Sequence, residues 1–382
     1  MYLYLDFLYN IMKKEMWVAV WTLISIIIGA GVIGLPYVIQ KAGFLTGLLV
    51  IILVVLIMTL INFYLAEIVL RTKNKHQIPG LGGIYLGKFG KYFISIFYVL
   101  GIYGALTAYI IAAGQVLSAI FNFGNYFYFS LGFLIVLSAI IFFNLNIFQR
   151  AESILNPLKL IIITLLIIFL FPYVNFSNLL EFNFKNLLIP YGVIIFAFTG
   201  FSAIPEMAYE LKNKINLRKA IIYAMLITFV IYSLFCLVMI GISGKDITQV
   251  ATLSLENLGN FSLFGNLFSL LALSTAFIGL GFSLKNSLIL DYKLKNLFSW
   301  IFVIGIPAIL FFLNLGNFIL FLELSGAISI GVILISILIM HSKAKSIGKR
   351  KPEFQFKDNL FVKVLLFILV IIGIIYTLSG LV

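Results

Sequence analysis

One cysteine, two histidines and 13 acidic residues in a chain of 382 leave little for covalent or metal chemistry to work with. A lone thiol, Cys236, has no partner for an intrachain disulfide, so nothing here speaks for a disulfide-stapled secreted domain. His76 and His341 fall in separate segments read as loops. No HExxH, Walker-type or paired-aspartate pattern occurs, so enzymes and metal sites have no constellation to build on, and no cofactor is implied. Charge is equally scarce, at 10% of residues, against 63% hydrophobic and 16% aromatic, which excludes an ordinary soluble domain. The net charge of +13 would suggest nucleic acid as the partner of a soluble chain. Here it follows from basic loops between apolar spans, and no nucleic-acid partner is expected.

What is present is apolar sequence in lengths that cross a bilayer. Eleven spans are expected, at about 17–40, 43–70, 93–122, 127–147, 154–173, 187–209, 219–243, 262–288, 297–314, 317–340 and 360–380. The first 16 residues are short, aromatic and run straight into a full-length span, so they are not expected to be a cleaved leader. With the N-terminus in the cytoplasm, 22 of the 26 basic residues fall inside. They are Lys13 and Lys14, the group from Arg71 to Lys91, Arg150, the group from Lys212 to Lys219, Lys285, Lys293 and Lys295, and seven from Lys343 to Lys363. The positive-inside rule therefore predicts a multi-pass cell-membrane protein, with its C-terminus extracellular and the segment from His341 to Lys363 a solvated cytoplasmic connector.

Two of these spans are interrupted. Residues 29–36 read GAGVIGLP and residues 199–205 read TGFSAIP, so that Gly31 precedes Pro36 and Gly200 precedes Pro205 by the same interval. A spanning helix should be most regular at these points, because an unpaired backbone group in hydrocarbon costs on the order of several kcal/mol. Backbone freed there must line a cavity or hold a ligand. The breaks fall in spans one and six, which run in opposite directions. The pattern is that of a transporter with two inverted five-span halves, residues 17–173 and 187–340, followed by an added eleventh helix at 360–380.

The segment IGAGVIGLP at 28–36, followed by KAG at 41–43, resembles the first span of the amino acid and auxin permease family, within the amino acid-polyamine-organocation superfamily. FAFTGFSAIPE at 196–206 is similar to that family's sixth span, and ALTAYI at 105–110 to its third. The resemblance implies an all-α fold with discontinuous helices one and six, and an amino acid as substrate.

A broken helix presents amides at the start of its outer half and carbonyls at the end of its inner half. Gly29, Ala30 and Gly31 are expected to admit a substrate carboxylate to such amides, and the carbonyls around Phe196, Ala197 and Phe198 to receive the ammonium. Gly200, Phe201 and Ser202, with Tyr103 and Tyr109 of span three, complete a lining that is apolar and aromatic. Ser202 stands where many relatives in the wider superfamily carry glutamate. A cationic substrate is therefore disfavoured, and a neutral, apolar or aromatic amino acid is expected.

Lys159, about six residues into span five, is the sharpest ionisable candidate within a span, since a charge costs about 2.5–3.5 kcal/mol at a helix centre. The run AESILNPLKL at 151–160 resembles the fifth span of proton-coupled members, in which a lysine ammonium occupies the place that sodium takes in sodium-coupled relatives. Ser274, Thr275 and the backbone of span one are its expected partners. The alternative reading is a lysine snorkelling to the interface. Glu206 and Glu323, near opposite ends of the bundle, are candidate gating residues, each with a structural reading as a satisfied carboxylate. Glu67 is expected to pair with a nearby base such as Arg71.

The leading function is therefore proton-coupled import of a neutral amino acid by alternating access. A sodium-coupled symporter or an exchanger on the same fold is the alternative. A transporter-like sensor would use the same site without flux, and a membrane-embedded enzyme lacks the polar loop residues it would need. Oligomeric state has no sequence signature.

Overall fold

Two glycine-rich interruptions set the geometry of the chain. The computed structural model describes the backbone of residues 2–143 and 146–380, and the side chains of these except 2–14, 146–153 and 290–291. Lys13, Lys14 and Arg150, counted above as topology-setting, and residues 151–153 of the fifth-span motif lie outside the described side chains. Helix α1 (Tyr2–Ile27) and helix α2 (Gly31–Ala42) meet at a bend of 62°. Gly43 alone joins α2 to α3 (Phe44–Arg71). Its φ of 86° and the 2.8 Å from an added Cβ to the Glu181 carbonyl oxygen leave only glycine there.

The chain continues through α4 (Ile78–Phe121), α5 (Tyr126–Phe143) and α6 (Asn146–Leu170). Helix α4 starts well before the expected boundary at 93, because Gly87, at φ 78°, lets a short leading segment turn into the span instead of forming a loop. The second interruption separates α7 (Tyr191–Ala197) from α8 (Ala203–Glu210). Then follow α9 (Asn216–Ser243), α10 (Asn260–Tyr292), α11 (Asn296–Phe312), α12 (Phe318–Glu323), a π-helical stretch Leu324–Ile330, α13 (Gly331–Ile347) and α14 (Leu360–Ser379).

Among the described residues eight helices are long and apolar enough to cross a membrane, and the bent α1–α2 pair makes a ninth. The other two expected spans are the pair α7–α8 and the 17-residue α11. Large apolar side chains such as Leu56, Ile135, Ile168 and Phe361 face outward around the bundle, a surface suited to lipid. The helices form two sets. Helices α1, α2, α3, α7, α8 and α9 pack on one another and hold both interruptions, while α4 gathers α5, α10, α11, α12 and α13 around itself.

At the end of the bundle where α3, α8 and α13 terminate, the basic residues gather around a buried carboxylate. Glu67 of α3 has no exposed side-chain surface; one oxygen accepts from Arg71 Nε at 3.0 Å, the other from the Phe356 amide at 2.8 Å and pairs with His341 Nε2 at 3.0 Å. The connector between α13 and α14 is thus pinned to α3, through the Lys349 amide on the Arg71 carbonyl as well, and Phe356 stacks on Phe63. This corrects two sequence expectations. The connector is not wholly solvated, and His341 is a fully buried residue of α13 rather than a loop residue. The reason is that a carboxylate buried by the helices needs several donors, and the packing of α13 on α3 brings His341 to it while the folded connector brings the Phe356 amide.

Replacing Glu67 by glutamine removes the charge that three donors share and should destabilise the basic end by about 3 kcal/mol. Limited proteolysis of the 348–359 connector should then accelerate and the melting temperature fall; an unchanged cleavage rate and melting temperature would show that the connector is held by its aromatic contacts alone.

Candidate functional site

Between α1 and α2, residues Ile28, Gly29 and Ala30 leave the helical path. The Gly29 amide turns back to the Ile27 carbonyl at 2.8 Å, and the Ile33 amide reaches the Ala30 carbonyl at 3.3 Å. The opening amides of α2 have no intrahelical acceptor by helix geometry, and they lie at the positive end of its dipole. Helix α7 ends on the other side of the gap. Its final carbonyls, from Phe196 to Phe198, sit at a negative dipole end, and the Thr199 amide closes on Phe196 at 3.2 Å. An amide end and a carbonyl end are thereby brought side by side, the arrangement that suits an amino acid's carboxylate and ammonium.

The interruptions touch one another. A Cβ built on Gly31 would lie 2.8 Å from Ala197 Cα and 3.2 Å from Phe196 Cδ1, and one on Gly200 would lie 2.6 Å from Leu23 Cδ1 and 2.7 Å from Ile27 Cγ1. Gly31 and Gly200 are contact points between the two broken spans. Gly29 has more room, with Ala276 Cβ of α10 at 3.7 Å from its added Cβ.

Of the other expected site residues, Ala30, Ala197 and Phe198 are buried, as are Phe201, Tyr103 and Tyr109, while Phe196 and Ser202 are half-buried. Tyr109 meets Phe196 edge-on with ring centres 6.5 Å apart. Aromatic rings thus gather around the gap, most of them buried.

Lys159 of α6 is 3% exposed, which decides against a side chain that reaches the interface. Its ammonium donates to the Ile28 carbonyl at 3.2 Å, inside the first break, and to Thr275 Oγ1 of α10 at 3.1 Å. Thr275 in turn donates to the Leu271 carbonyl at 2.9 Å. Ser274 is the half-buried neighbour of Thr275. A single charge thus joins three separate helices at the point where α1 stops.

The two gating candidates lie apart, at opposite ends. Glu206 is exposed on α8 and lines a cavity of about 250 Å³ with Lys75, His76, Gln77, Tyr209 and Glu210 at the basic end. Glu323, where α12 passes into the π-helical stretch, accepts from Thr377 Oγ1 of α14 at 3.5 Å and lines a cavity of about 300 Å³ with Ile189 and Tyr376. Neither carboxylate enters the gap between the breaks.

One residue at the gap has no sequence signal at all. Tyr232 of α9 is fully buried, its hydroxyl 2.7 Å from the Ile27 carbonyl and 3.4 Å from that of Ala197, its ring edge-on to Phe198 at 4.9 Å. It is one tyrosine among 19, set in a uniformly apolar span, and only the fold distinguishes it.

Comparison with known proteins agrees with this architecture. A family model described as the tryptophan/tyrosine permease family matches residues 12–377. Glutamine transporter 2 of Aliivibrio fischeri is 24% identical over 276 residues, which cover 68% of this chain and 71% of that protein. The crystal structure of MhsT in complex with L-phenylalanine superposes with a TM-score of 0.67 at 15% identity, covering 94% of this chain and 97% of that one, and shows that the fold is LeuT-like.

Proposed function

This chain belongs to the tryptophan/tyrosine permease family, and from that premise we propose that it imports a neutral, apolar or aromatic amino acid together with protons by alternating access. It is a membrane permease and not an enzyme. The observation that carries proton coupling is the buried Lys159 ammonium on the Ile28 carbonyl, beside the backbone that would hold substrate. In this reading the charged lysine ties α6, α10 and the end of α1 together in one conformation. Loss of its proton weakens two charge-assisted hydrogen bonds and lets the set of helices that holds the breaks move against the set around α4. A sodium ion would have to share the Ile28 carbonyl with that ammonium, which is why the sodium-coupled alternative is the weaker one.

The substrate would place its carboxylate at the first break, on the Ala30 and Gly31 amides beside Gly29, whose own amide is held by the Ile27 carbonyl, and its ammonium on the carbonyls from Phe196 to Phe198. Its side chain would lie among Phe196, Phe201, Ser202, Tyr103 and Tyr109. Residues 17–173 and 187–340 are then the inverted halves, placed in the cell membrane with the N-terminus cytoplasmic and the C-terminus outside. Placement in the amino acid-polyamine-organocation superfamily belongs to the same proposal. Glu206 and Glu323 would act at the two mouths.

The lining has aromatic rings and one hydroxymethyl group but no carboxylate at the second break, so side-chain charge is the property it discriminates. In proteoliposomes, unlabelled phenylalanine, tryptophan, tyrosine or leucine should compete with labelled substrate, and lysine, arginine and polyamines should not. Glutamine belongs in the panel because a relative is named for it. If glutamine alone competes, the side-chain pocket is polar and the aromatic assignment fails. Strong competition by lysine would place an acidic partner in the pocket, with Glu323 the first residue to test. Exchange of labelled for unlabelled substrate separates a carrier from a sensor, which binds without flux.

A further inference from the structure

At the junction of the two interruptions a pair of carbonyl ends converges on one hydroxyl. Ile27 is the last residue of α1 and Ala197 the last of α7, so each carbonyl stands at the negative end of a half-helix dipole. Gly31 packed on Ala197 brings these two ends together, and like partial charges at such a distance repel. Half-helix carbonyl ends of this kind are where discontinuous transporter helices coordinate a cation. Here the position is filled by the Tyr232 hydroxyl, which has one proton to offer two acceptors. The short bond, 2.7 Å, goes to Ile27, and the longer contact, 3.4 Å, leaves the Ala197 carbonyl with spare accepting capacity.

We infer that Tyr232 is a positioning residue that stands in the place of a cation at the junction of the breaks: its hydroxyl holds the two carbonyl ends together and leaves Ala197 able to accept from the substrate ammonium. This deepens the transport reading above and rests on it for the ammonium's place. The rings fit the same role. Phe198, edge-on to Tyr232, holds the phenol from the side, so the hydroxyl cannot swing away from the gap without repacking α7. Lys159 acts on the neighbouring Ile28 carbonyl. Two consecutive carbonyls of the first break are thus served by a fixed ammonium and a fixed hydroxyl, and no mobile ion is required at either.

The test is Tyr232→Phe, which removes the proton and keeps the ring. The Ile27 carbonyl then keeps only the Gly29 amide and the Ala197 carbonyl loses its hydroxyl contact, so both have accepting capacity to spare and sodium or lithium should enter between them. Purified Tyr232→Phe should show a melting temperature that rises with the logarithm of sodium concentration against a choline background, while the wild type shows no such rise. This readout needs no substrate, so it stands even if the proposed amino acid class is wrong; failure of wild-type protein to bind any neutral amino acid would count against that class alone. With L-phenylalanine as probe, affinity of the variant should fall about tenfold without sodium and recover when sodium is added. A variant as indifferent to sodium as the wild type would overturn the inference, whatever happens to affinity, because a merely structural tyrosine leaves no cation site behind. If Tyr232→Phe cannot be purified, Tyr232→Leu, which also brings no donor to the two carbonyls, is read the same way.

Discussion

Lys159→Ala should bind substrate and fail to accumulate it. The ammonium makes its contacts on the Ile28 carbonyl and Thr275 Oγ1, and neither group belongs to the amide and carbonyl ends where the substrate would lie. Truncation therefore leaves the binding determinants in place and removes the only cation among the described residues that reaches the first break. Wild-type uptake should be driven by an inward proton gradient, be insensitive to sodium and collapse with a protonophore. The alanine variant should lose accumulation against a gradient while retaining substrate-induced thermal stabilisation and passive exchange. The expected loss is at least about a hundredfold, since the two charge-assisted hydrogen bonds of the ammonium are worth on the order of 1.5–3 kcal/mol each. Accumulation that persists in Lys159→Ala would make Lys159 a structural tether, and coupling would have to be sought at Glu206 or Glu323 or assigned to sodium.

The second large effect is expected from a single methyl group. Gly31→Ala puts a Cβ 2.8 Å from Ala197 Cα, which is backbone and cannot step aside without separating the two broken spans. Overpacking of this kind costs about 1–3 kcal/mol, and here the strain falls on the spacing between the amide and carbonyl ends. Uptake should drop at least about tenfold. Gly200→Ala should do less, because its Cβ meets side-chain atoms of Leu23 and Ile27 and no backbone. Gly29→Ala should come nearest to wild type, since its nearest neighbour, Ala276 Cβ, lies at ordinary contact distance of 3.7 Å. Uptake and melting temperature measured across the three variants check this order. Equal loss in all three would mean that the glycines act through the backbone path of the break and not through contact between spans.

The breaks, the apolar spans and the basic loops could be read from the chain because each rests on local chemistry. Glycine and proline spoil a helix wherever they stand, about 20 apolar residues in a row seek lipid whatever their neighbours, and lysines gather at span ends. Lys159 was conspicuous for the same reason: a charge inside an apolar run is an anomaly of one segment. Its contacts with Ile28 and Thr275 join positions far apart in sequence, as do the convergence of Gly31 on Ala197 and of Tyr232 on both breaks.

By itself, then, the sequence determined an all-helical membrane protein with two interrupted spans, because hydrophobic length and helix breaking are properties of short segments. Only the tertiary structure decided which two of three glycines pack closely against a partner, which of 19 tyrosines serves the gap, and that His341 with the α13–α14 connector buries Glu67. Those outcomes depend on which surfaces meet when α1, α7 and α9 close on one another. In a chain where most residues are apolar, composition supplies no label for the few faces that touch.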